Sequence, residues 1–135
     1  MNSEQHRVTA IRHWWLKAEE SLRSAERELL ADSLSFAINR IYYSVFYAVS
    51  AAMLERQIVS KKHTGVRAAF HREFIKTNVL DSQWGRFYDR LFEDRQEGDY
   101  IVFTNFDREY VQECLARCRE FHTVLYPLIS SLREN

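Results

Sequence analysis

With 135 residues, 46% of them apolar and 14% aromatic, the chain is long enough to bury roughly two thirds of its unfolded surface in one core. Three glycines and one proline are too few for the many tight turns of a β protein, which points to helices joined by few loops. Nineteen basic residues balance nineteen acidic ones, so zero formal charge argues against a non-specific binder of nucleic acid or membrane surface.

From about residue 8 to 31, Ile11, Trp14, Trp15, Ala18, Leu22, Ala25 and Leu29 share one face, which predicts an amphipathic helix. Asp32 and Ser33 break it, and Ser33 is the expected cap of the next helix. Between about 34 and 56, Leu34, Ile38, Ile41, Val45, Val49, Ala52 and Met53 recur at helical spacing. Tyr42, Tyr43, Phe46 and Tyr47 extend that surface nearly all round, as expected of a central buried helix. Its apolar run, Ile41 to Leu54, is 14 residues long and too short to span a bilayer.

Residues 57 to 63 read as a basic loop, and a shorter helix follows with Val66, Phe70, Phe74 and Ile75. After a connection over 78–82, Trp84, Phe87, Tyr88, Leu91 and Phe92 mark a fourth helix ending near Gly98. Residues 100–106 are apolar and irregular. A last helix starts at about Asp107 and carries Tyr110, Val111, Cys114, Leu115, Cys118, Phe121, Leu125 and Ile129, with Pro127 expected to kink it. The pattern predicts an all-α bundle formed by residues 1–135 as one domain. Tyr88, Phe103 and Phe106 are aromatic surplus, expected to anchor a homodimer interface.

Charge is unevenly spread. Arg56, Lys61, Lys62, Arg67, Arg72 and Lys76 face a single acid, Glu73, whereas Asp89, Glu93, Asp94, Glu97 and Asp99 outnumber Arg90 and Arg95. This suits a surface anion site, self-association, or two solvated faces. Cys114 and Cys118, one helical turn apart, read as reduced core residues of a cytoplasmic protein. The polar start, Met1 to Thr9, has no apolar signal region. No glycine-rich phosphate loop, His-Glu-x-x-His motif or paired Glu-x-x-His set is visible, so neither a metal nor a cofactor is expected.

Three constellations carry possible chemistry. Asn39, Arg40 and Tyr43 lie on nearby turns of the central helix, where a guanidinium can clamp a phosphate or else pair with an acid such as Asp94 or Asp99. Lys61, Lys62, His63, Thr64 and Gly65 sit at an expected helix N-terminus, an anion-binding end in which His63 is either an acid–base group or a structural residue. Arg95 and Asp99, four apart, either form a salt bridge within the helix or leave Arg95 to face a phosphate while Asp99 orients it.

Taken together, Asn39-Arg40-x-Tyr42-Tyr43-x-x-Phe46, Lys62-His63-x-Gly65-Val66 and Arg95-Gln96-x-x-Asp99-Tyr100 resemble the HEPN superfamily, and more narrowly its UPF0332 branch, over roughly residues 10 to 130. The resemblance implies an antiparallel four- to five-helix up-and-down bundle that dimerises. It also implies a toxin–antitoxin-type module: a metal-independent endoribonuclease paired with a minimal nucleotidyltransferase as antitoxin. In that family an Arg-x(4–6)-His motif does the chemistry, and here its Arg corresponds to Arg95, while Asp99 and Tyr100 stand where His is expected. No His lies between His71 and His122, so Asp99 is the candidate substitute base; Arg56 and His63 have the motif spacing but lie in the loop after the central helix, where the match is read as chance. The resemblance also makes Tyr100 a candidate acceptor of nucleotides from the partner enzyme, although its spacing differs. The expected catalytic residues are thus Arg95, Asp99 and Tyr100, and the expected RNA- or nucleotide-binding residues are Asn39, Arg40, Tyr43, Lys62 and His63. The alternative is a non-catalytic HEPN subunit that binds the nucleotidyltransferase or its nucleotide.

Overall fold

Asn2 starts the first helix. Its Oδ1 accepts from the Gln5 amide at 2.8 Å while Gln5 Oε1 accepts from the Asn2 amide at 2.9 Å, a reciprocal cap. The helix therefore begins well before its apolar periodicity does. A computed structural model of the chain describes residues 2–100 and 105–133, the side chains of 97–100 excepted. Among them are five α-helices: α1 (Ser3–Leu30), α2 (Leu34–Glu55), α3 (His63–Phe70), α4 (Ser82–Tyr100) and α5 (Arg108–Leu125). The resulting all-α bundle matches the fold expected from the sequence.

The connections are tight without glycine. Asp32 takes a left-handed φ of 61°, and the amides of Asp32 and Ser33 close back on the carbonyls of Leu29 and Glu28 at 3.0 and 2.9 Å. Gln57, at φ 62°, repeats the device after α2, with Gln57 and Ile58 amides on Leu54 and Met53 carbonyls, both at 2.9 Å. Ser33 does occupy the N-cap position of α2, but its side chain makes no capping bond. Its ψ of 74° is far from the extended cap geometry, because its own amide is closing the turn of α1.

α1 and α2 are antiparallel. Arg7 Nη1 donates to the Glu55 carbonyl at 2.9 Å at one end, and Ser44 Oγ donates to the Ala18 carbonyl at 2.8 Å near the middle. α5 returns antiparallel to α1, with Arg108 Nη1 on the Leu29 carbonyl at 3.0 Å and Arg12 Nε on the Ser131 carbonyl at 3.0 Å. α4 runs antiparallel to α5, tied by Arg117 Nη2 on Gln83 Oε1 at 3.1 Å and by Tyr110 on Asp94. α2 packs against the other four helices, which explains its nearly continuous apolar surface.

α3 passes into a π-helical turn (His71–Ile75), closed by the Lys76 amide on the His71 carbonyl at 2.9 Å. Gly85 lets α4 approach that turn closely, since a Cβ there would lie 2.8 Å from His71 Cε1. Pro127 does not kink α5. It ends it: α5 stops at Leu125 and a 3₁₀ turn (Tyr126–Leu128) follows, because proline removes a donor and crowds the preceding turn. A second 3₁₀ turn (Ser130–Leu132) is pinned by Glu55, whose carboxylate accepts from the Ser131 amide at 3.0 Å and Ser130 Oγ at 3.3 Å, with Arg7 at 3.7 Å. Burial pushes the Glu55 pKa up, but these partners outweigh it and hold the carboxyl below its ordinary value.

The core is aromatic, with Tyr42, Tyr88, Phe70, Phe74 and Phe121 fully buried. Tyr88 is therefore not an interface anchor. It shares the inward stripe of α4 with Trp84, Leu91 and Phe92, and its ring meets Phe70 edge-on at 5.5 Å. Phe106 is half-buried and stacks on Tyr110, and Phe103 lies outside the described residues. The exposed large apolar side chains are others, including Leu16, Leu30 and Phe36. Cys114 and Cys118 are buried and unbridged, as the spacing implied. His122, beside Cys118, is hydrogen-bonded through Nε2 to Ser44 Oγ at 2.8 Å.

Candidate functional site

The site is assembled on the outward edge of α2, where polar and aromatic side chains alternate. Asn39 Oδ1 accepts from Arg40 Nε at 3.0 Å and also from Nη2, which folds the Arg40 guanidinium back along its own helix. That guanidinium lies 5.2 Å from the centre of the Tyr43 ring. Arg95, reaching over from α4, places its guanidinium 4.9 Å from the Tyr42 ring and 5.8 Å from the Tyr43 ring. The two cations expected from the second and fourth helices thus converge on Tyr43.

His63 enters from a third direction. As the first residue of α3 it stacks on Phe46 at 4.2 Å with ring planes 22° apart, and its Nδ1 is 2.9 Å from the Tyr42 hydroxyl. Burial lowers the His63 pKa below its ordinary value, and the nearby Arg95 charge lowers it further. An imidazole in this setting is neutral near pH 7. The tautomer decides what Nε2 can do: where Nδ1–H donates to the Tyr42 oxygen, Nε2 is a proton acceptor, and where the phenol donates to Nδ1, Nε2 carries the hydrogen. Tyr42 is fully buried, and burial pushes its pKa up to about 12 despite the opposing pull of Arg95, so the phenol keeps its proton and stays a hydrogen-bonding strut.

Behind this front lies a further guanidinium. Arg67 stacks on Phe92 at 4.2 Å and donates to Asp89 Oδ1 at 2.8 Å, the same oxygen that His71 Nε2 meets at 2.8 Å. On the other side of His63 opens a cavity of about 430 Å³ between α1, α2, α3 and the 58–61 loop. Its walls are Trp14, Phe46, Met53 and Val66, and Lys61 and His63 stand at its polar margin.

Among the expected binding residues, the structure brings Asn39, Arg40, Tyr43 and His63 together with the expected catalytic Arg95. Lys62 is the exposed N-cap residue of α3, next to His63. The Asp99 and Tyr100 side chains lie outside the described residues; their backbone belongs to the last turn of α4. Arg56 has its guanidinium 4.2 Å over Phe74 and 3.1 Å from the Glu73 carbonyl, partners that the His63 ring does not share. Trp14 was read from the sequence only as a face residue, and Tyr42 and Phe46 belong to the first motif but not to the expected site residues. The signal for Tyr42 was its hydroxyl, which a buried tyrosine must satisfy. Among the described residues no three His, Cys, Asp or Glu side chains are grouped as metal ligands, and no helix is long and apolar enough to cross a membrane.

Comparison with known proteins follows the same line. The model of the HEPN domain matches residues 11–128. A UPF0332 protein of Thermotoga maritima is 40% identical over 123 residues, covering 91% of this chain and 93% of its own length. A protein named "putative toxin" from Methanocaldococcus jannaschii is 39% identical over 99 residues, covering 73% of this chain and 67% of its own. A UPF0332 protein of Pyrococcus horikoshii is 31% identical over 78 residues, 58% of this chain and 55% of its own length. With Asn39, Arg40, Tyr42, Tyr43, His63 and Arg95 gathered at one place on a helical bundle and these similarities along its length, the chain belongs to the HEPN superfamily, in the UPF0332 branch.

Proposed function

We propose that this protein is a metal-independent endoribonuclease of a toxin–antitoxin-type module, working in the cytoplasm as a homodimer. The observation that carries this reading is the convergence of Arg95, Arg40 and His63 on the adjacent Tyr42 and Tyr43 rings. The "putative toxin" name of the Methanocaldococcus jannaschii relative supports the module.

The chemistry is attack by a ribose 2′-hydroxyl on its own 3′-phosphorus. A new O2′–P bond forms, the P–O5′ bond breaks, and the products are a 2′,3′-cyclic phosphate and a 5′-hydroxyl. His63, neutral near pH 7, takes the 2′-hydroxyl proton, and that proton ends on the departing 5′ oxygen. Arg95 and Arg40 neutralise the charge that builds on the phosphorane oxygens. His63 thus supplies from α3 the group that the sequence lacks after Arg95. Asp99, four residues after Arg95 on α4, is assigned to orienting it.

The test is cleavage of end-labelled single-stranded RNA in EDTA by wild type, His63→Ala and Arg95→Ala. Wild type is expected to leave cyclic phosphate ends, and His63→Ala to cut at least about a hundredfold more slowly. Equal cleavage by all three would remove both residues from the mechanism. No cleavage by any would favour a second reading, a non-catalytic subunit that binds a minimal nucleotidyltransferase or its nucleotide through Arg40, Lys62 and His63. The exposed Lys61 and Lys62, which immediately precede His63, favour that reading, since they suit an acidic partner.

A further inference from the structure

We propose that the cavity beside His63 receives one unpaired nucleobase of the RNA strand whose phosphate lies against Arg95, so that the protein reads a base next to the bond it cuts. The inference rests on the ribonuclease reading and adds a base-binding subsite to it.

The cavity, about 430 Å³, is of the size that takes a small planar ligand, and it shares His63 and Phe46 with the phosphate side of the site. Its interior is suited to a flat aromatic guest. Trp14 is held by stacking on Tyr47 at 5.6 Å with planes 22° apart, so its indole is already oriented, and Met53 and Val66 line the interior with apolar atoms. The margin is polar and cationic, with Ser60, Lys61 and His63 able to meet a base edge or the next phosphate. The rim loop is seated directly on α3, since a Cβ at Gly65 would come within 2.1 Å of Ser60 Oγ. An apolar protein side chain would fit the interior, but a guest that ends in phosphate also uses the guanidiniums on the far side of His63. Charge therefore favours the polyanion.

The experiment compares binding of the four nucleoside 5′-monophosphates with that of ribose 5-phosphate, which has the anion but no base, by titration in EDTA. At least one nucleotide should bind about tenfold more tightly than ribose 5-phosphate. Ser50→Phe, which fills the cavity from α2, should abolish that advantage while leaving ribose 5-phosphate binding unchanged. Trp14→Leu should weaken the advantage without filling the space, and it replaces Ser50→Phe as the decisive variant if the latter melts early. Arg95→Ala should weaken every ligand alike. Nucleotides no tighter than ribose 5-phosphate, or an advantage that survives in the folded cavity variant, would overturn the subsite. Because no turnover is measured, a protein that keeps the base advantage yet cuts no RNA would sink only the ribonuclease reading.

Discussion

The Tyr42 hydroxyl stands 2.9 Å from His63 Nδ1, joining the most buried helix of the bundle to the first residue of α3. Through that bond the imidazole is fixed above Phe46 and brought under the influence of Arg95, whose guanidinium covers the same tyrosine ring.

Tyr42→Phe should separate positioning from folding. The ring packing is kept and one hydrogen bond is lost, so stability should fall by only about 1 kcal/mol. If the bond holds His63 in its working orientation, RNA cleavage should fall about ten- to a hundredfold in kcat with KM little changed. A loss confined to KM would assign Tyr42 to binding instead. Thermal melts and steady-state kinetics on one preparation read both.

His63 should titrate below the ordinary histidine value, as followed by NMR of its ring protons against pH. Burial is the larger cause and Arg95 the second. Removing the cation in Arg95→Ala should therefore raise the midpoint while leaving it below about 6.5. An unchanged midpoint would mean that Arg95 does not act on His63 in solution.

His122 makes the fold sensitive to acid. Burial lowers its pKa to about 4, against the opposing effect of the Ser44 hydrogen bond. The unfolded chain binds this proton near pH 6.5 and the folded one only near pH 4, so stability is intact above about 6.5 and declines as pH falls through that interval. The loss from this residue is at most about 3 kcal/mol. Urea melts of wild type and His122→Leu should diverge in slope between pH 7 and 4, with the variant the flatter. Parallel slopes would contradict a buried neutral imidazole.

Cys114 and Cys118 should resist alkylation in the native protein. Burial pushes their pKa values up to about 11 and about 12, so little thiolate forms at neutral pH and little of it is accessible. Mass spectrometry after iodoacetamide treatment should find both unmodified until denaturant is added. Rapid native labelling of either would reveal local opening of α5.

Much of the bundle could be read along the chain because helical periodicity is a local property. The stripe from Ile11 to Leu29 and the wide apolar surface of α2 announced themselves by spacing alone. Where the reading failed, a second element had entered. Ser33 lost its capping role to the closure of the preceding turn, and Pro127 ended α5 where a kink was expected. Tyr88 went wholly inside because four aromatic or leucine positions on α4 face the same partners.

Composition and periodicity determined that the chain is helical, which side of each helix turns inward, and that arginines, tyrosines and a histidine suited to phosphate chemistry are present. They could not determine that His63, more than thirty residues before Arg95, is the imidazole that feels that arginine's charge. That pairing depends on how far α3 and α4 are rotated and slid against α2, which is set by the packing of Tyr42, Phe46, Tyr88 and Phe92 in three dimensions. Only the tertiary structure fixes such offsets, because sequence spacing orders side chains along one helix and carries no information on the register between two.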